Sequence, residues 1–402
     1  MTAMRKAHWG VIAVFFASGM MMAMLPTRMW VIREYLDASP GRMGLLLLFT
    51  SFGSISAMPF TGVLVSRWGA KRVIQVTLGV ALLGMIGAGM CVAAKSQIGF
   101  AGCLFVVGIG GGAWDVAQNL AGTDVERAIS RAVMPQFHAG FSLGTVFAAL
   151  VGVIFSRLEL PLMAHVVIVA ALVAALCWWG STTVLDHASV SAGAASPGEP
   201  EPPRERISAL GAWREPRTLL VGVVVLGAGL AEGSANDWLI LGIGQDFQVP
   251  ESTGIIGLAC FLTAMTSMRA LGTRLIDAKG RVFTQLLCCG LALLGLAVYC
   301  LGTSVVMVVI GGTIWGLGAA MGFPMGMSAA ADDPARAAVR TSVVATIGYA
   351  AFLAGPPLLG MLADNIGYRH ALLVVAGPVL IGMLLSGVLR PPSSARASGN
   401  AD

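Results

Sequence analysis

The chain has 402 residues, 56% of them hydrophobic and only 11% charged. Soluble globular domains carry about twice that charged fraction, and a mean hydropathy of +0.82 likewise excludes a water-soluble chain of this length. The formal net charge of +5 does not point to nucleic acid, because Lys and Arg are scattered through short segments and form no patch.

A stretch of about 20 apolar residues crosses a bilayer. Twelve such spans are expected, at 8–27, 43–65, 72–94, 98–121, 135–157, 162–185, 218–241, 253–275, 282–303, 305–329, 341–363 and 370–389. Arg5 and Lys6 before the first span resemble the start of a signal peptide. No small-x-small cleavage site follows and further spans come at once, so that span reads as an uncleaved helix. The seven cysteines have no metal or disulfide spacing, and Cys288 and Cys289 are neighbours inside an apolar span. They read as packing residues.

Between spans six and seven lies a stretch rich in Ser, Ala, Pro and charge, which reads as a flexible linker. The expected organisation is a six-helix bundle at 1–185, a linker at 186–217, a second six-helix bundle at 218–390 and a tail at 391–402. The basic residues set the orientation. Arg67, Lys71 and Arg72 follow span two, Arg274, Lys279 and Arg281 follow span eight, and Arg204, Arg206, Arg214 and Arg217 occupy the linker. All fall on the side of the termini, and the positive-inside rule makes that side cytoplasmic. The halves also repeat: VSRWGAKRV (65–73) and IDAKGRV (276–282) align at an offset of 211 positions. The fold class is therefore an all-α membrane protein, with twelve transmembrane helices in two pseudo-symmetric six-helix bundles. Transporters commonly carry such repeats, with their site near the midplane.

The twelve spans, the 6+6 division, the linker and the short basic turn resemble the major facilitator superfamily. Its turn typically reads Gly-x-x-x-Asp-Arg-x-Gly-Arg-Arg. Here the positions are Gly62, Ser66, Arg67, Gly69, Lys71 and Arg72, with Ser66 in place of the acid, whereas Asp277 keeps the acid in the second half. The segment 360–369 is similar to the family's turn between spans eleven and twelve. The strings WDVAQNLAGTDVER (114–127), MPQFHAGFSLG (134–144) and AEGSANDW (231–238) resemble a bacterial branch of uncharacterised permeases. It includes the rhizopine-locus membrane protein and lies near fucose-permease-like transporters. The resemblance implies the major facilitator fold, with spans one, four, seven and ten lining a central cavity.

A charge at the bilayer centre costs on the order of 3 kcal/mol by insertion scales, so each needs a partner, water or a proton. Asp115 lies roughly 26 Å into span four at about 1.5 Å per residue, and Gln118 and Asn119 share its helix face. These three either bind solute or a proton, or lock helices together. Glu232, a little past the midplane of span seven beside Gly233 and Ser234, is a second coupling or solute carboxylate. Asp237 reads as a solvated end-cap near the outer interface. His138, one turn before Ser142, either joins Asp115 in a relay or is a satisfied interface histidine. Arg269 either pairs with a carboxylate or extends to the inner interface, and Arg28 is an interfacial anchor or meets an anionic group. Trp114, Trp315 and Phe323 either stack on a sugar-like ring or pack between helices. Arg67, Lys71, Arg72, Asp124, Glu126, Arg127, Asp277 and Arg281 are expected at an inner gate, or serve only to set topology.

No metal cluster, soluble catalytic set, phosphate loop or nucleotide-binding domain is legible, so no enzyme activity and no cofactor are expected. The reading is a monomeric secondary transporter of the bacterial inner membrane, with both termini cytoplasmic. It would be driven by the proton gradient and move a small polar solute such as a sugar, polyol or amino-polyol. Alternatives are a proton-antiport exporter of one metabolite or drug, and a non-transporting membrane sensor on a transporter fold. Span five lacks the Gly-Pro motif of many drug antiporters, which weakens multidrug export.

Overall fold

The structure is a computed structural model, and it describes residues 3–129, 133–185, 209–333 and 336–391. Most of the expected linker, 186–208, and of the expected tail, 392–402, lie outside the described residues. All described secondary structure is helical. The helices are α1 Ala3–Met24, α2 Met29–Tyr35, α3 Pro40–Trp68, α4 Ala70–Ala93, α5 Gln97–Ile129, α6 Met134–Arg157, α7 Leu162–Thr182, α8 Ala209–Ala212, α9 Pro216–Phe247, α10 Glu251–Leu301, α11 Val305–Ala319, α12 Gly322–Ala330, α13 Ala337–Ile366, α14 Tyr368–Leu372 and α15 Ala376–Leu384.

Among the described residues, ten helical stretches are long and apolar enough to cross a membrane, and Tyr368–Leu384 is a shorter apolar one. The longest, α10, is broken at Gly280, where φ is 82°. Counting its two arms separately, and Tyr368–Leu384 as one more, gives twelve apolar helical segments among the described residues. Breakers set the ends. Ser39 caps α3 by accepting the Arg42 N–H at 3.3 Å, and Pro40 opens the first turn, where no helical N–H is needed. Pro26 interrupts the first span, and the chain passes through a short 3-10 turn into α2. Where no breaker intervenes the helix runs on. Residues 122–129 contain no proline, so α5 outlasts the expected span and carries Asp124 and Glu126 on helix instead of loop.

The chain divides into two compact units, residues 1–199 with 248–259, and residues 200–247 with 260–402. In the first unit α3, α4 and α5 pack together, and α1 packs on α6 and α7. Glycine permits the closest of these approaches: a Cβ on Gly53 would overlap the Phe105 carbonyl, and one on Gly108 the Thr50 carbonyl. In the second unit α9 packs on α12, α13 and α15. The helices turn apolar side chains outward, as with Val167, Ile168, Leu172, Trp178 and Trp179 on α7. This suits a hydrocarbon solvent and would be an aggregation hazard in water.

The internal repeat reaches the backbone. Asp37 and Gln248 both have positive φ, at 46° and 49°, and Gly69 and Gly280 do so at 79° and 82°. The same offset of 211 positions relates each pair, and also relates Pro40 to Glu251, the first residues of α3 and α10. The seven cysteines are free, with the Cys91 and Cys103 sulfurs 3.9 Å apart.

Candidate functional site

In the first unit the structure brings Asp115, Gln118 and Asn119 together. The Gln118 side-chain amide donates to Asp115 Oδ1 at 3.0 Å, and Asn119 donates to the Asp115 carbonyl at 2.8 Å and to Oδ1 at 3.3 Å. This follows from i, i+3 and i, i+4 spacing on a helix. Gln118 is fully buried and also reaches Ser18 Oγ on α1 at 3.4 Å, which ties α5 to α1. No cation pairs with Asp115 among the described residues. Its neighbour Trp114 is buried, and its indole N–H has no acceptor among the described residues. The His138 ring is exposed and meets Phe15 edge-on at 5.3 Å.

In the second unit Arg269 and Glu232 form an ion pair, with Nη2 2.8 Å from Oε2. Both are partly open, the side chains being 25% and 17% exposed. Arg269 Nε also donates to the Ala320 carbonyl at 3.1 Å. Ala320 and Met321 interrupt the apolar run between α11 and α12, and a helix end presents carbonyls that need donors. One guanidinium thus joins a carboxylate on α9 to a helix break. Asn236 donates to the Glu232 carbonyl at 3.1 Å, one turn on. Trp315 is fully buried between Phe261 and Tyr299, at 5.5 and 5.9 Å, with no ring face open to a solute. Phe323 stands edge-on to Tyr349.

Asp237 departs from its expected place. Helix α9 continues to Phe247, so the residue is not an end-cap; it lines a small cavity with Ser234 and Phe352.

The residues expected at a gate do not form one cluster. Arg67, Lys71 and Arg72 are exposed and make no ion pair among the described residues, and Asp277 is exposed in the same way. Asp124 is fully buried in α5. Glu126 accepts the Val133 and Met134 N–H groups, both at 2.8 Å, and so caps α6. The Arg127 side chain lies outside the described residues. Arg281 pairs with Asp332 at 2.6 Å and reaches Ser328 at 2.9 Å, and Arg217 takes the second Asp332 oxygen at 2.8 Å.

Sequence reasoning missed Asp332, and with it the Glu215 cluster. Arg340 grips Glu215 through Nε at 2.6 Å and Nη2 at 3.2 Å, and Arg336 approaches at 3.4 Å. Charges in short polar segments carry no signal of their partner. It also missed Glu251, which lies 3.5 Å from Arg28 with both side chains less than a tenth exposed. Arg28 is therefore a buried ion-pair member, where an interfacial anchor was one expectation.

The sequence model of the Major Facilitator Superfamily matches residues 10–301 and 223–402. The uncharacterized transporter y4wD of Sinorhizobium fredii is 29% identical over 389 residues, covering 92% of this chain and 97% of that protein. An uncharacterized MFS-type transporter of Yersinia pestis is 31% identical over 356 residues, covering 87% of each. Membrane protein MosC of Rhizobium meliloti is 25% identical over 378 residues, covering 92% and 86%. Among solved structures, the nucleoside transporter NupG matches with TM-score 0.72 at 15% identity, covering 97% of this chain and all of that one. A bacterial homolog of the human lysosomal transporter Spinster, inward-facing and unoccupied, matches with TM-score 0.77 at 14% identity, covering 97% and 98%. At these identities the structural matches speak for the fold alone.

Proposed function

We propose that this chain, which belongs to the Major Facilitator Superfamily and is a transporter, couples proton movement to transport of a small polar solute. The solute class is a sugar, polyol or amino-polyol, carried across the bacterial inner membrane with both termini in the cytoplasm. Residues 1–185 and 218–390 act as the two rocking halves. The observation that carries this reading is the Glu232–Arg269 pair, partly open and seated at a helix break within a membrane-spanning unit. A pair of this kind has two stable arrangements. Closed, carboxylate and guanidinium satisfy each other. Open, a proton takes the charge of Glu232 and the guanidinium donates to solute oxygens. Either exchange avoids leaving an isolated charge in the membrane. Asp115 supplies a second titratable group held, among the described residues, by amide donors and no counter-ion, so a proton would remove an uncompensated charge.

The test is solute flux into proteoliposomes under an imposed pH gradient, with candidate polyols and sugars in turn. Glu232→Gln and Asp115→Asn are each expected to lower proton-driven flux at least tenfold and to flatten its pH dependence. Variants that carried solute as fast as the parent, with an unchanged pH profile, would remove the proton-coupling claim.

A further inference from the structure

On α9, Leu230, Gly233, Ser234 and Asp237 fall at i, i+3, i+4 and i+7 and so share one face. They line one side of a small cavity, and Ala351, Phe352, Gly355 and Pro356 of α13 line the other. Glu232 is five residues from Asp237, about 140° around the helix at 3.6 residues per turn, so the cavity is separate from the Arg269 pair. Small residues bring the helices together here, as a Cβ on Gly233 would press on the Phe352 ring at 3.0 Å.

Three features of this cavity point to a ligand. Asp237 makes no hydrogen bond or ion pair among the described residues, although it lies within a membrane-spanning helix. Ser234 is 3% exposed and its hydroxyl has no partner among the described residues, whereas a helical serine ordinarily bonds back to the carbonyl four residues earlier. Pro356 and Pro357 lie inside α13 and offer no N–H. The Leu353 carbonyl, next in sequence to the lining residue Phe352, therefore loses the helical donor that position 357 would supply.

Carboxylate, hydroxyl and carbonyl oxygens together form a donor set for a hard cation. The single carboxylate among the lining residues balances one positive charge, which favours a monovalent ion over a divalent one. The cavity offers about 10 Å³ to the centre of a water-sized sphere, room for about one such body, which is too little for an organic ammonium. We propose that Asp237 and Ser234, with main-chain oxygen from the proline-interrupted turn of α13, bind a sodium ion. The site lies apart from Asp115 and Glu232 and stands whether or not those residues carry protons.

The test is thermal unfolding of the purified full chain in detergent, titrated with NaCl against choline chloride at constant ionic strength. A ligand of the folded state raises the midpoint by mass action. The parent is expected to gain stability saturably with Na⁺ and not with choline. Asp237→Asn is expected to lose that gain, Ser234→Ala to need severalfold more Na⁺, and Glu34→Gln, at an exposed acid elsewhere, to respond as the parent. Equal responses to Na⁺ and choline would overturn the proposal, as would an Asp237→Asn protein that kept the Na⁺ response. Stabilisation by methylammonium without Na⁺ would overturn the size argument. If Asp237→Asn fails to unfold cooperatively, Ser234→Ala decides, and an unchanged half-saturating concentration rejects the site.

Discussion

Arg28 and Glu251 are far apart in sequence and buried together, so removing one should strand the other. Their side chains are 5% and 9% exposed, with Nε 3.5 Å from Oε2. Arg28 also reaches the Leu160 carbonyl at 3.4 Å, and Glu251 accepts the Val31 N–H at 3.4 Å. At an effective dielectric of about 20, unit charges at this separation attract by about 5 kcal/mol before desolvation is counted. Breaking a buried pair from one side costs roughly 3–5 kcal/mol, because a charge is left without compensation. The low end applies here, since each partner keeps one main-chain contact. Glu251→Leu and Arg28→Met are therefore each expected to cost about 3 kcal/mol. The double variant Arg28→Met with Glu251→Leu removes both charges and should cost only about 1 kcal/mol. The assay is chemical unfolding of the detergent-solubilised protein across the double-mutant cycle, with an expected coupling above about 2 kcal/mol. Additivity within about 0.5 kcal/mol would refute the reasoning, because two buried charges that truly meet cannot be lost independently.

Two further outcomes follow from the turns and from the Glu215 cluster. Gly69→Val and Gly280→Val should each cost about 1–3 kcal/mol, because φ near 80° combined with ψ of 151° and 165° is a backbone conformation essentially confined to glycine. A Cβ at either position meets nothing within 4 Å, so backbone strain alone sets the loss, and unchanged unfolding midpoints would contradict it. The hydrogen bond from Arg340 holds the Glu215 carboxyl below its ordinary 4.5, aided by Thr218 and the Arg336 charge and opposed by burial. Its folded-state value being depressed, the unfolded chain takes up the proton first as pH falls. The stabilisation is then complete above pH 4.5 and is lost as pH falls through the lower folded-state value. Unfolding midpoints measured down through this acid range should fall more steeply for the parent than for Glu215→Gln, and parallel profiles would contradict the assignment.

Much of this protein is written locally. Runs of apolar residues of bilayer length fix the spans, and the breakers at Pro26, Gly69, Gly280 and Gly367, the last ending α13 at φ 78°, fix several of their ends, since Pro and Gly act on the backbone whatever surrounds them. The offset that aligns the two basic turns also aligns Asp37 with Gln248, because a turn's conformation is carried by its own few residues. The Asp115, Gln118 and Asn119 cluster was legible for the same reason, as helical periodicity alone brings those side chains into reach.

Other features required distant residues to meet. Glu232 and Arg269 were both visible as charges in spans, yet their pairing depends on how α9 and α10 pack and on the break at Ala320. On sequence alone Trp315 is either a stacking platform or a packing residue, and the enclosure by Phe261 and Tyr299 makes it the second. Asp124 reads as a loop charge until α5 is followed past its expected end. Asp237 looks like a solvated cap until Phe352 and Pro356 of α13 close a cavity around it. By itself, then, the sequence determined the span pattern, the duplicated halves and the list of costly polar residues. Only the tertiary structure decided which charge meets which. Hydropathy and helical period are properties of neighbours along the chain, while an ion pair or a cavity wall is a property of neighbours in space.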